Sequence, residues 1–140
     1  MQRQKRGQIS IEYLVIAGFV MALVIGVLGA GLVYSSRLQD TVNLNQLSTF
    51  ANKLTQSAES VYYSGEPSRV TSTAYLPNVV SSIQIVSNDI VFDVRTASGV
   101  NKMSYSSKVP LVLQGTLSAS SGVKRFQLRA SSDHVTIIPQ

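Results

Sequence analysis

The chain has 140 residues, with 12 lysines and arginines against seven aspartates and glutamates, one histidine and no cysteine. That length leaves room for one helix and one small domain, and the lack of cysteine excludes a disulfide framework and a thiolate metal site. The formal charge of +5 points toward nucleic acid or anionic lipid, yet Arg3, Lys5 and Arg6 carry three of those charges and residues 8–140 are close to neutral, with nine basic and seven acidic residues.

The first element is the stretch from Lys5 to Tyr34, KRGQISIEYLVIAGFVMALVIGVLGAGLVY, in which the 22 residues from Tyr13 onward carry no charge. At about 1.5 Å per helical residue this run is roughly 33 Å long, enough to cross a hydrocarbon core of about 30 Å. It is expected to be a membrane helix, or a segment that begins as one. Basic residues beside a span stay on the cytoplasmic side, which puts the N-terminus inside and the bulk of the chain outside. Gly18, Ala22, Gly26 and Ala30 recur every four residues, a spacing that lets helix backbones approach closely, although glycine is common in membrane helices in any case. The segment Gly26–Gly31 lacks the lysine and the strand context of a phosphate loop. Glu12 stands at the mouth of the apolar run, where a carboxylate costs at least a few kcal/mol unless paired. Alternatively it lies at the interface, near the positive end of the helix, where a carboxylate is favoured.

The string Gly7, Gln8, Ser10, Glu12, Tyr13 behind a basic leader resembles the class III signal peptide of archaeal type IV pilin-like proteins. Bacterial pilins usually place phenylalanine where Gln8 stands. The resemblance covers about ten residues and the apolar run. It implies a cleavage site between Gly7 and Gln8, with Lys5, Arg6, Gly7, Gln8, Ser10 and Glu12 recognised by a membrane-embedded prepilin peptidase. It further implies that Glu12 pairs with the new terminal amine of a neighbouring subunit during assembly, so that Gln8, Glu12, Gly18, Ala22, Gly26 and Ala30 form the assembly surface. An assembly ATPase and a platform protein are implied as partners, beside identical or related subunits and, before assembly, membrane lipid. Cyclisation of an N-terminal Gln8 would remove the amine. An ordinary signal peptide cut near Gly29 to Gly31 would instead release residues 32–140.

From Ser35 the chain turns polar, but Leu44, Leu47, Phe50, Ala51, Leu54, Ala58, Val61 and Tyr62 keep helical spacing. The helix is expected to continue as an amphipathic arm over residues 35–64, with Arg37, Asp40, Lys53 and Glu59 mainly on its wetter side. Gly65 is the candidate for the residue past its end. From Gln8 to Ser64 that makes about 57 residues, roughly 85 Å unbroken. After the turn Ser64–Arg69 the pattern alternates, predicting strands at 70–76, 82–86, 90–95, 100–105, 109–115, 123–130 and 134–138, with turns at 87–89 and 98–99. The expected fold class is therefore α+β. A cleaved leader (1–7), a hydrophobic stalk helix (8–34) and its amphipathic continuation precede a head (65–140) made of a small antiparallel sheet or sandwich packed on the helix.

Serine and threonine number 29, which reads first as a merely polar surface and alternatively as one offering sites for O-linked sugars; there is no Asn-X-Ser/Thr sequon. His134 beside Asp133 does not orient as a triad would, since adjacent strand residues face opposite ways, and the scattered carboxylates lack calcium-loop spacing. No catalysis, cofactor or metal is expected. Lys124, Arg125 and Arg129 with Phe126 form a small basic and aromatic cluster on one expected strand, for which adhesion to anionic material is a nearer reading than nucleic acid and a solvated strand face nearer still. The resemblance, with the apolar helix and β-rich head, implies a filament subunit precursor that begins in the membrane and ends in an adhesive surface filament. The rivals are a single-span anchor carrying an external binding domain, a minor subunit, and a subunit of the archaeal motor filament, whose leader pattern usually differs.

Overall fold

The structure is a computed structural model that describes the backbone from Lys5 and whole residues from Ser10 to Gln140. Helix α1 (Lys5–Ser64) is followed by strands β1 (Arg69–Leu76), β2 (Val80–Val86), β3 (Asp89–Thr96), β4 (Gly99–Ser106), β5 (Leu111–Leu113), β6 (Gly122–Ala130) and β7 (Val135–Pro139). The chain divides into two units, residues 1–38 and 39–140.

No proline interrupts α1, and its hydroxyls bond back to the carbonyls four residues earlier. Thr49 donates to Asn45 O at 2.9 Å, the buried Thr55 to Ala51 O at 3.1 Å and Ser64 to Ser60 O at 2.7 Å, so these polar groups are satisfied within the helix. The helix ends where glycine permits it. Gly65 has φ 75° and its N–H donates to Tyr62 O at 3.0 Å, the bond of a left-handed C-cap.

In the head unit β2, β3 and β4 form an antiparallel meander, and a second sheet has the order β1-β6-β7-β5. All pairings are antiparallel except β5 with β7, which runs parallel from Leu111↔Val135 to Leu113↔Ile137. The chain leaving β5 crosses to β6 before returning as β7, so β5 lies on the far side of β7 from β6. Two strands differ from expectation. β5 is confined to three residues because Pro110 offers no N–H to a ladder and Gly115 leaves the extended region with φ 103°. β7 starts at Val135, since the His134 carbonyl accepts the Ser131 N–H at 2.9 Å and closes the preceding turn. In the tight turn between β2 and β3, Ser87 takes a left-handed φ of 55°.

The helical spacing in the second half of α1 corresponds to a buried stripe: Leu47, Phe50, Ala51, Leu54, Ala58 and Val61 are all 1% exposed or less. They join Phe92 and Val94 of β3, Phe126 and Leu128 of β6, and Val135 and Ile137 of β7 in one core. Phe50 stands at its centre. Its ring meets Phe92 edge-on at 6.1 Å and Phe126 at 6.0 Å, so one helical side chain touches both sheets. Such edge-to-face pairs add about 0.5–1.5 kcal/mol each beyond the area they bury.

Candidate functional site

The feature that sets this chain apart is the first unit's apolar surface. From Ile11 to Tyr34 every large apolar side chain of α1 is more than half exposed, among them Tyr13 at 75%, Phe19 at 65% and Leu32 at 74%. The most apolar 18-residue window has mean hydropathy 2.5 and none of it is buried within the chain. A monomer in water rarely exposes contiguous apolar patches beyond a few hundred Å². This helix is long and apolar enough to cross a membrane, and its composition suits lipid or other apolar helices around it.

The small residues follow the same logic. A Cβ added at Gly18, Gly26, Gly29 or Gly31 would meet nothing within 4 Å, and none of the four has a positive φ. Neither backbone conformation nor packing inside the chain requires them, while each lowers helix propensity by about 1 kcal/mol relative to alanine. Ala22 and Ala30 are likewise exposed. Gly29 belongs with Gly18, Ala22 and Gly26 as well, since at 100° per residue it projects between them; four-residue spacing alone had passed over it.

Ser10 and Glu12 are exposed on α1. Beyond its backbone, the expected cleavage site between Gly7 and Gln8, with most of its recognition (Lys5, Arg6 and Gln8), lies outside the described residues. The helical backbone nevertheless includes Lys5 to Ile9, so the sequence-defined boundary between Gly7 and Gln8 falls inside α1.

In the head, the polar side chains of α1 have a role that their placement on a wet face did not suggest. Asp40 Oδ2 accepts the Ala97 N–H at 3.0 Å in the turn between β3 and β4. Glu59 Oε1 accepts the Lys108 N–H at 3.2 Å, and Lys53 Nζ donates to Thr73 O at 2.7 Å. All three tie the helix to backbone groups that no strand partner satisfies. An open groove of about 550 Å³ between α1 and the edge strand β1 is lined by Val42, Asn45, Gln46, Thr49, Lys53 and Tyr75 among others.

The basic and aromatic cluster on β6 is split by the pleat. Phe126 is fully buried and Lys124, on the same face, donates to Ser120 Oγ at 2.8 Å, whereas Arg125 and Arg129 are exposed on the opposite face. His134 is a half-buried turn residue rather than a strand residue. Among the described residues no group of three or more histidines and carboxylates is placed to hold a metal ion.

No family model matches the chain, and no curated protein or solved structure matches it either.

Proposed function

We propose that this protein is the precursor of a structural subunit of an archaeal type IV pilus-like filament. The observation that carries the reading is the uncharged, wholly uncovered stretch of α1 from Tyr13 to Tyr34, set directly behind Gly7, Gln8, Ser10 and Glu12. A peptidase that cuts before Gln8 keeps the apolar helix in the mature chain. The helix first rests in lipid and then leaves it to pack against copies of itself, with the β-rich head carried outside the membrane. Glycine and alanine along Gly18, Ala22, Gly26 and Ala30 allow close backbone approach in that packing, where no hydrophobic drive separates helix from lipid. Glu12 supplies the single charge in this apolar zone, and the amine created at Gln8 of a neighbour is its partner. Pairing offsets the cost of desolvating both groups.

The test is intact-mass and N-terminal peptide analysis of protein from membranes and from sheared surface filaments, with Glu12→Ala alongside. A mature chain beginning at Gln8 in the sheared fraction is expected, with Glu12→Ala cleaved but retained in membranes. An uncleaved chain found only in membranes overturns the proposal and leaves a single-span anchor with an external binding domain.

A further inference from the structure

The outward strand positions of the β1-β6-β7-β5 sheet present three arginines and no aspartate or glutamate. The strand register sets Arg69 directly opposite Arg129, and pairs Thr71 with Gln127, Thr73 with Arg125 and Tyr75 with Val123. On the other flank of β6, Thr136 stands opposite Arg129 and Ile138 opposite Gln127. Directly opposed residues of an antiparallel pair share a face, and like charges so placed repel. All three arginines are exposed, and Glu66 and Asp133 lie in the turns beyond the strand ends. We propose that this face binds polyanionic polysaccharide, chains carrying carboxylate or sulfate groups. The inference belongs to the head and stands independently of the assembly reading.

The chemistry of the face selects that partner. A guanidinium is a rigid fork that takes a carboxylate or sulfate through two parallel bonds. An anionic group held between Arg69 and Arg129 neutralises a pair that the fold sets against itself. Arg125 lies four residues along β6 from Arg129, about 13 Å at roughly 3.3 Å per strand residue, which places a second anionic contact further along an extended chain. Between these points Thr71, Thr73, Gln127 and Thr136 supply donors and acceptors for sugar hydroxyls. Nucleic acid fits less well. Single strands are held on several stacked aromatic rings, whereas Tyr75 is the sole aromatic at the outward positions of these strands. Duplex DNA is read by a helix or a narrow ribbon in its groove, and a four-stranded face is too broad to enter one.

The experiment measures binding of the full chain, in micelles of an uncharged detergent, to a polyuronate, dextran sulfate, neutral dextran and a short DNA duplex. Binding to the polyuronate, to dextran sulfate or to both is expected, with none to neutral dextran and with affinity falling as salt rises. The two anionic arms separate carboxylate from sulfate as the recognised group. Arg125→Gln and Arg129→Gln should each weaken binding about tenfold, the effect of losing one charge-assisted contact. Arg129→Lys should lie between wild type and Arg129→Gln. Lys102→Gln, on the other sheet, should bind as wild type does. The proposal is overturned if neither anionic glycan binds at low salt, if Lys102→Gln weakens binding as much as the arginine variants, or if the duplex binds more tightly than both glycans. Melting temperatures of each variant separate a lost contact from a lost fold, and should Arg129→Gln not fold, Arg125→Gln and Arg129→Lys decide the matter.

Discussion

Replacing Phe50 by alanine is expected to do more damage to the head than any other single truncation in α1. The ring is 1% exposed and bridges Phe92 and Phe126 of opposite sheets. Truncating a buried phenylalanine costs about 3–5 kcal/mol through lost transfer energy and the cavity left behind. A unit spanning Gln39 to Gln140 has about 5–15 kcal/mol in total at the usual stability per residue. The loss is therefore a large share of what holds the head together, and at about 4–8 °C per kcal/mol for a unit of this size it lowers the melting temperature by about 12–40 °C. Thermal unfolding in detergent, followed by the near-ultraviolet signal of the head tyrosines, measures it. Tyr63→Ala is the control, because Tyr63 is 70% exposed and loses only its edge-on contact with Tyr62, so it should cost about 1 kcal/mol or less. A Phe50→Ala melt within about 5 °C of wild type would refute the idea that one helical ring joins the two sheets.

Other substitutions test the same construction at separate points. Gly65→Ala forces a β-carbon into φ 75° and should destabilise the head by about 1 kcal/mol, read as a fall of several degrees in its melting temperature. Arg69→Thr removes one of two opposed cations and should stabilise the head by about 0.5 kcal/mol in low salt, a gain that fades as salt screens the pair. A β-carbon at Gly26 meets no neighbouring atom in the chain, and Gly26 lies outside the head unit, so Gly26→Leu should leave the head melt unchanged and, on the assembly reading, lower the yield of sheared filaments.

The periodicities in the sequence were a direct record of two different surroundings. Leu47 to Val61 recur at helical spacing because one stripe of α1 faces the head core, and Ile90, Phe92 and Val94 alternate because β3 buries one face only. The apolar run before them has no such stripe, and all of it is exposed. Pairing order escaped sequence reading, since alternation fixes which face a residue takes but not which strand lies beside it. The parallel contact between β5 and β7 depends on a crossover that leaves no local mark. The cationic face was hidden for the same reason: Arg69 and Arg129 are 60 positions apart and meet only through the register of β1 with β6. Lys124 adjoins the cluster in sequence, but the pleat turns it to the opposite face.

Glu12 bears the most direct test of the assembly reading. Its carboxylate is exposed on α1 at the edge of a stretch with no other charge until Arg37. The positive end of a helix favours a carboxylate by about 0.3–1 kcal/mol within its first turn, and Glu12 lies beyond that turn because α1 begins at Lys5. Leaving an ionised group inside an apolar bundle without a partner, by contrast, costs several kcal/mol. Glu12→Gln tests for that partner, because it keeps the shape and the hydrogen-bonding capacity but removes the charge. If pairing with a neighbour's amine holds the helices in register, Glu12→Gln should be cleaved normally, keep the wild-type head melt and be depleted at least tenfold from sheared filaments, about 1.4 kcal/mol per subunit. Filaments formed in wild-type amounts would leave the carboxylate without a part in assembly. The mass of the N-terminal peptide closes the argument from the other side: loss of ammonia from Gln8 in assembled subunits would mean that a cyclised, uncharged terminus enters the filament, and Glu12 would then have no amine to meet.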